Sequence, residues 1–97
     1  VSMTKRSMAA GHLVNKINRL IPEANAVKRA EWDGCDKGIW LKGSESYHEG
    51  ERIFDYYRWD PVYAYTIHPK LREIIDDAEW YSEPNDPGTL MLWPGYE

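Results

Sequence analysis

The chain has almost no cysteine: Cys35 is the only one among 97 residues. A single thiol excludes an intramolecular disulfide and a cysteine-built zinc site. It fits a reducing compartment, so the expected location is the cytoplasm, or the host cytoplasm for a phage-encoded protein. Cys35 lies between Asp33 and Asp36 in a predicted turn. Negative neighbours oppose a thiolate, which argues against a nucleophilic role. There is no apolar run of about 18 residues, so no membrane span is expected. The basic start, Val1-Ser2-Met3-Thr4-Lys5-Arg6, is not followed by the roughly 7–15-residue apolar core of a signal peptide. Residues 1–3 are read as a disordered or appended start.

Other absences concern chemistry. Gly34, Gly38, Gly43 and Gly50 are spread along the chain with no Lys-Ser/Thr after them, so they form no phosphate loop and read as turn residues. His12, His48 and His68 have no helical metal-ligand spacing, and each is expected to be a surface or capping residue. No nucleophile-elbow glycine pattern surrounds Ser44, Ser46 or Ser82. No metal, no cofactor and no catalytic residue is assigned, and the expectation is a protein that is not an enzyme. A small enzyme built from sequence-distant residues stands as an alternative.

What is present is aromatic. Of all residues 13% are aromatic, with 5 Trp and 7 Tyr against a single Phe. Trp and Tyr suit a compact core, and equally a binding surface, because each joins a large apolar body to a polar handle. Hydrophobic residues make up 42% and charged residues 29%, the balance of one globular domain, here residues 1–97. The net charge of −4 is uneven. Residues 1–50 carry 8 Lys/Arg and 6 Asp/Glu; residues 51–97 carry 4 and 10. The acidic half disfavours docking on a nucleic-acid backbone.

Periodicity predicts an α+β fold in the order α-β-β-β-α-β. Ala10, Val14, Ile17 and Ile21 form one stripe of a helix over Thr4–Leu20, which Pro22 ends. Alternation predicts strands over Ala26–Trp32 and Ile39–Lys42, and a third over Arg52–Trp59. Val62–Thr66 reads as a loop. Pro69 opens a second helix carrying Leu71, Ile74, Ile75 and Ala78 on one face. Ser82–Gly88 reads as the turn that ends it, and Thr89–Trp93 as the last strand. The expected architecture is an antiparallel sheet of about four strands with two helices on one face. An edge placement of the last strand would let it pair with a second copy as a homodimer.

Two constellations carry the functional expectations. Glu73, Asp76, Asp77, Glu79 and Glu83 fall on the second helix and its exit. Like charges at i, i+4 oppose helix stability, so the face suits steering onto a protein partner with a basic surface. Tyr63, Tyr65 and Trp80 are the candidate apolar anchors beside it, with Tyr56 and Trp59 as further exposed aromatics. Paired carboxylates also occur in glycosidases, but a chain this short leaves little room for a sugar cleft. The alternative constellation is Arg52, Tyr56, Arg58 and Trp59. On an open sheet face these would stack and bind single-stranded nucleic acid.

Trp40-Leu41-Lys42-Gly43-Ser44-Glu45, Ile53-Phe54-Asp55-Tyr56-Tyr57 and Gly88-Thr89-Leu90-Met91-Leu92-Trp93-Pro94 resemble segments of small uncharacterised bacteriophage and prophage proteins. The resemblance implies an accessory protein that acts by binding, such as an inhibitor of a host enzyme or defence complex. It brings no functional residues with it.

Overall fold

A computed structural model describes residues 6–30 and 37–96. Cys35 and its turn, the Glu31-Trp32 end of the predicted first strand, and residues 1–5 lie outside the described residues. The fold is α+β. Helix α1 spans Ala10–Leu20, and a 3-10 turn, Pro22–Ala24, follows it. Strands β1 (Ala26–Lys28) and β2 (Ile39–Leu41) come next. Four two-residue strands follow: β3 (Tyr47–His48), β4 (Glu51–Arg52), β5 (Phe54–Asp55) and β6 (Thr66–Ile67). Helix α2 covers Pro69–Asp77 and leads into β7 (Trp80–Asp86) and β8 (Thr89–Pro94).

The main sheet is antiparallel and four-stranded, in the order β1-β2-β8-β7. Register puts Ala26 opposite Leu41, Leu41 opposite Leu90 and Ile39 opposite Leu92. These residues are buried with Trp80 against Leu13 and Ile17 of α1 and Leu71, Ile74 and Ile75 of α2 in one core. The strand period of two sends Val27, Trp40 and Met91 to the opposite face. Strand β8 is therefore interior, and the edges are β1 and β7. Thr89–Trp93 is thus inserted between strands and does not form the free edge that pairing with a second copy through it would need.

Helix α1 begins six residues later than its periodicity predicts. The preceding segment uses its polar groups elsewhere: Met8 N donates to Ala78 O, and Trp80 Nε1 donates to Met8 O at 2.7 Å. Those bonds hold the entry to α1 extended against the end of α2. At the other end, the Asn18 amide clasps β1. Its Nδ2 donates to Ala26 O at 2.9 Å, and its Oδ1 accepts from Ala26 N at 2.7 Å. Ala26 is buried, so Asn18→Ala strands a donor and an acceptor away from water. The expected loss is about 1–3 kcal/mol, read as a lower urea midpoint with unchanged slope. Gly43 is required where the next loop crosses the 3-10 turn: a Cβ there would lie 1.8 Å from Glu23 O.

The predicted third strand is not continuous and does not join the main sheet. Ile53 and Phe54 are consecutive and both fully buried, which no alternating strand allows. The chain switches partners between them: β4 pairs with β3, and β5 pairs with β6. The fourth sheet position is taken by β7, in residues read from sequence as helix exit and turn. Helix α2 stops because Glu79 adopts a left-handed conformation, φ 59°, which redirects the chain. Pro84 is accommodated because β7 is an edge strand. The true turn is Pro87-Gly88, between the paired Asp86 and Thr89.

Candidate interaction surface

Strands β5 and β6 close a loop over residues 56–65. Phe54–Ile67 and Asp55–Thr66 pair at its base, and Thr66 Oγ1 donates to Arg58 O at 2.7 Å. Inside the loop, Asp60 organises a turn. Its Oδ1 accepts from Val62 N at 2.8 Å and Tyr63 N at 3.1 Å, and its carbonyl accepts from Ala64 N. Such side-chain turns are what Asp-Pro sequences favour. The loop is thus fixed at its base and within its tip.

Its aromatics divide by role. Tyr65 points inward: its ring meets Phe54 edge-on at 5.6 Å, and its hydroxyl lies 2.6 Å from Ser82 Oγ. Tyr63 lies over the Arg72 guanidinium at 3.8 Å. Tyr56 is half exposed and leans on Phe54 at 6.3 Å. Tyr57, Trp59 and Val62 point out, at 82%, 72% and 76% exposure. Scattered single apolar residues on a surface need no explanation, but three large ones on one ordered loop do.

Arg72 links this loop to the acidic helix. It sits on α2 next to Glu73 and one turn before Asp76, and it holds Tyr63 and donates to Ser82 Oγ at 3.3 Å. Glu73, Asp76 and Asp77 are exposed. The other predicted anchors are placed differently. Glu79 is half-buried at the left-handed turn, where its carbonyl accepts from Ser7 Oγ and Gly95 N. Glu83 is on β7 opposite Met91, on the sheet face away from the helices. Trp80 is a core residue. Glu79 and Glu83, four apart in sequence, therefore share no helical face.

The nucleic-acid constellation is also rearranged. Arg52 is on β4, where its Nε donates to Phe54 O at 3.2 Å and its guanidinium stands 5.8 Å from the Tyr47 ring. Tyr56, Arg58 and Trp59 lie in the loop, so the four residues share no sheet face. Arg52 and Arg58 do line one hollow of about 200 Å³, together with Tyr47, Glu51 and Asp55. Two carboxylates there offset the two guanidinium groups.

Part of the outer face of the main sheet is covered by its own cations. Arg29 stacks on Trp93 at 4.5 Å, and Lys42 stands 5.6 Å from the Trp40 ring. Met91 between them is only 3% exposed. Tyr47, Tyr81 and Tyr96 are exposed as well, but the loop gathers the three most exposed large apolar side chains among the described residues. Tyr57 belongs to the aromatic run and Val62 to the loop that Asp60-Pro61 opens in the sequence, but neither was singled out there as an exposed anchor.

Comparison with protein-family models, curated proteins and solved structures returns no match for this chain. Among the described residues, no helix is long and apolar enough to cross a membrane.

Proposed function

We propose that this protein is a non-enzymatic interaction protein that docks on a protein partner with a basic surface. Tyr57, Trp59 and Val62 enter an apolar recess of the partner, and Tyr63 packs at the rim. Glu73, Asp76 and Asp77 steer the encounter. The observation that carries this reading is the exposure of three large apolar side chains on a loop ordered from both ends. Aromatic side chains that are rigid before docking lose little entropy in the complex. The resemblance to phage accessory proteins narrows the role to inhibition or modulation of a host protein or nucleoprotein complex.

The acidic face acts mainly on association rate, because exposed charges are screened at short range. The double variant Glu73→Lys with Asp76→Lys is expected to slow association at least about tenfold at low salt. Its effect should fade as salt is raised. Both positions are exposed, so stability should stay within about 0.5 kcal/mol. Stopped-flow or surface-based kinetics against the captured partner reads the result. An unchanged rate at low salt would remove the helix from the interface.

A second reading rests on the hollow shared by Arg52 and Arg58. Single-stranded nucleic acid would track these guanidinium groups while Trp59 stacks a base. This predicts a mobility shift at low salt that weakens steeply with added salt. No shift with any single-stranded RNA or DNA at low salt would exclude it.

A further inference from the structure

Ser44, His48 and His68 are buried, and their bonds serve the fold. Ser44 Oγ accepts from Leu90 N, His68 Nε2 donates to His48 O, and His48 Nδ1 meets Glu23 Oε1 at 2.8 Å. The two histidines are thus not surface residues, although His68 does cap α2 by accepting from Lys70 N.

A cavity of about 530 Å³ lies elsewhere, where the two ends of the described chain meet. Its volume is within the roughly 300–1,000 Å³ of small-molecule sites. The entries to α1 and β2, the start of β7 and the exit of β8 converge on it. They bring Arg6, Met8, Lys37, Trp80, Pro94 and Tyr96 to its lining. Hydrogen bonds across the chain fix its walls. Trp80 Nε1 donates to Met8 O at 2.7 Å, and Ser7 Oγ donates to Glu79 O and accepts from Tyr96 N at 2.8 Å. With those groups paired to one another, the walls present mainly apolar surface. Tyr96 is 42% exposed, and Met8 and Pro94 are half-buried, so each has area left to cover.

The charge of the cavity runs against that of the chain. Acidic residues outnumber basic ones by 16 to 12. Among the described residues, the lining holds two cations, Arg6 and Lys37, and no carboxylate. A hollow of about 420 Å³ beside Pro87 has the reverse balance, with Glu45 and Asp55 against Arg52. Two positive charges beside an apolar recess complement an anion with an apolar body. A guanidinium grips a carboxylate or phosphate through paired N–H donors. A flat ring stacks on tyrosine and makes favourable contact with a thioether.

We propose that this cavity binds a small aromatic anion, a flat ring carrying a carboxylate or phosphate group. The ring lies among Met8, Pro94 and Tyr96, and Arg6 and Lys37 hold the anionic group. A bare inorganic anion leaves the apolar walls uncovered, and a neutral ring makes no use of the two cations.

The test is titration of the full, isotopically labelled chain at low salt, followed by two-dimensional NMR. The probes are adenosine monophosphate and naphthoate, with uncharged adenosine and naphthalenemethanol as their counterparts. The expected result is saturable shifts of the Trp80 indole and of the Ser7, Gly38 and Tyr96 amides, with a dissociation constant below about 1 mM. The tighter anion identifies the group that the cations hold. The uncharged counterparts should bind at least about tenfold more weakly, because hydrogen bonds to a charged group are the strong ones. Arg6→Gln and Tyr96→Ala, both at exposed side chains, should keep the fold and each weaken binding at least about fivefold. Trp59→Ala, on the docking loop, should leave it unchanged. Three results would overturn the proposal: no saturable shift at these resonances with either anion up to about 10 mM, equal binding of the uncharged counterparts, or undiminished binding by Arg6→Gln.

Discussion

Trp59→Ala is expected to weaken partner binding by about 2 kcal/mol or more, roughly thirtyfold, while leaving stability within about 0.5 kcal/mol. The two halves of this expectation come from one feature. Trp59 is 72% exposed, so the folded monomer gains little from its indole. The neighbouring backbone is fixed by Asp60 and by the Thr66–Arg58 bond, so truncation leaves the loop in place. Large aromatic anchors dominate interfaces because they carry the most apolar area at low entropic cost. Titration calorimetry with the purified partner measures the first half, and urea denaturation of the variant measures the second. A drop in stability equal to the drop in affinity would mean that Trp59 supports the fold.

Phe54→Ala is expected to act in the opposite order. Phe54 is fully buried and is the hub beneath the loop, with Tyr65 and Tyr56 set edge-on against it. Removing its ring takes away apolar burial and leaves a cavity between the two tyrosines. The expected cost is about 3–5 kcal/mol, a large share of the roughly 5–15 kcal/mol that holds a typical domain. The melting temperature should fall by more than about 12 °C. Phe54→Leu keeps most of the apolar volume and should lose much less. Thermal unfolding followed by circular dichroism separates the two variants. Near-equal melting temperatures for Phe54→Ala and the parent would show that the loop does not rest on this residue.

These expectations depend on features that sequence and structure divide unequally. The apolar stripe Ala10, Val14, Ile17 and Ile21 was legible, because a helix that buries one face repeats its apolar residues at helical spacing; Ile17 and Ile21 are fully buried, while Ala10 and Val14 pack at the edge of the core. So was the start of α2, which Pro69 marks. Strand β7 was not. Its residues, Trp80–Asp86, include Ser, Pro, Asn and Asp, which favour turns, and only a position at the sheet edge makes them a strand. The acidic residues were read as one helical face for the same reason, and the turn at Glu79 divides them. Aromatic exposure was illegible in principle. Parity assigns sides only along a continuous strand, and this one breaks between Ile53 and Phe54. The Glu23–His48 contact joins residues 25 apart in sequence, beyond the reach of any local spacing rule.

The central claim is that the loop between β5 and β6 is the docking surface. Site-specific photocrosslinking tests it most directly. A benzophenone side chain is placed at Tyr57 on the loop, or at Tyr81, which is 48% exposed on β7 and lies on the outer face of the sheet. Each protein is irradiated with the captured partner, and the crosslinked residues are mapped by mass spectrometry. The loop site should yield a crosslink to a recess bordered by Lys or Arg, and the sheet site should yield none. Crosslinking from Tyr81 with none from Tyr57 would contradict the account and move the interface to the outer face of the sheet.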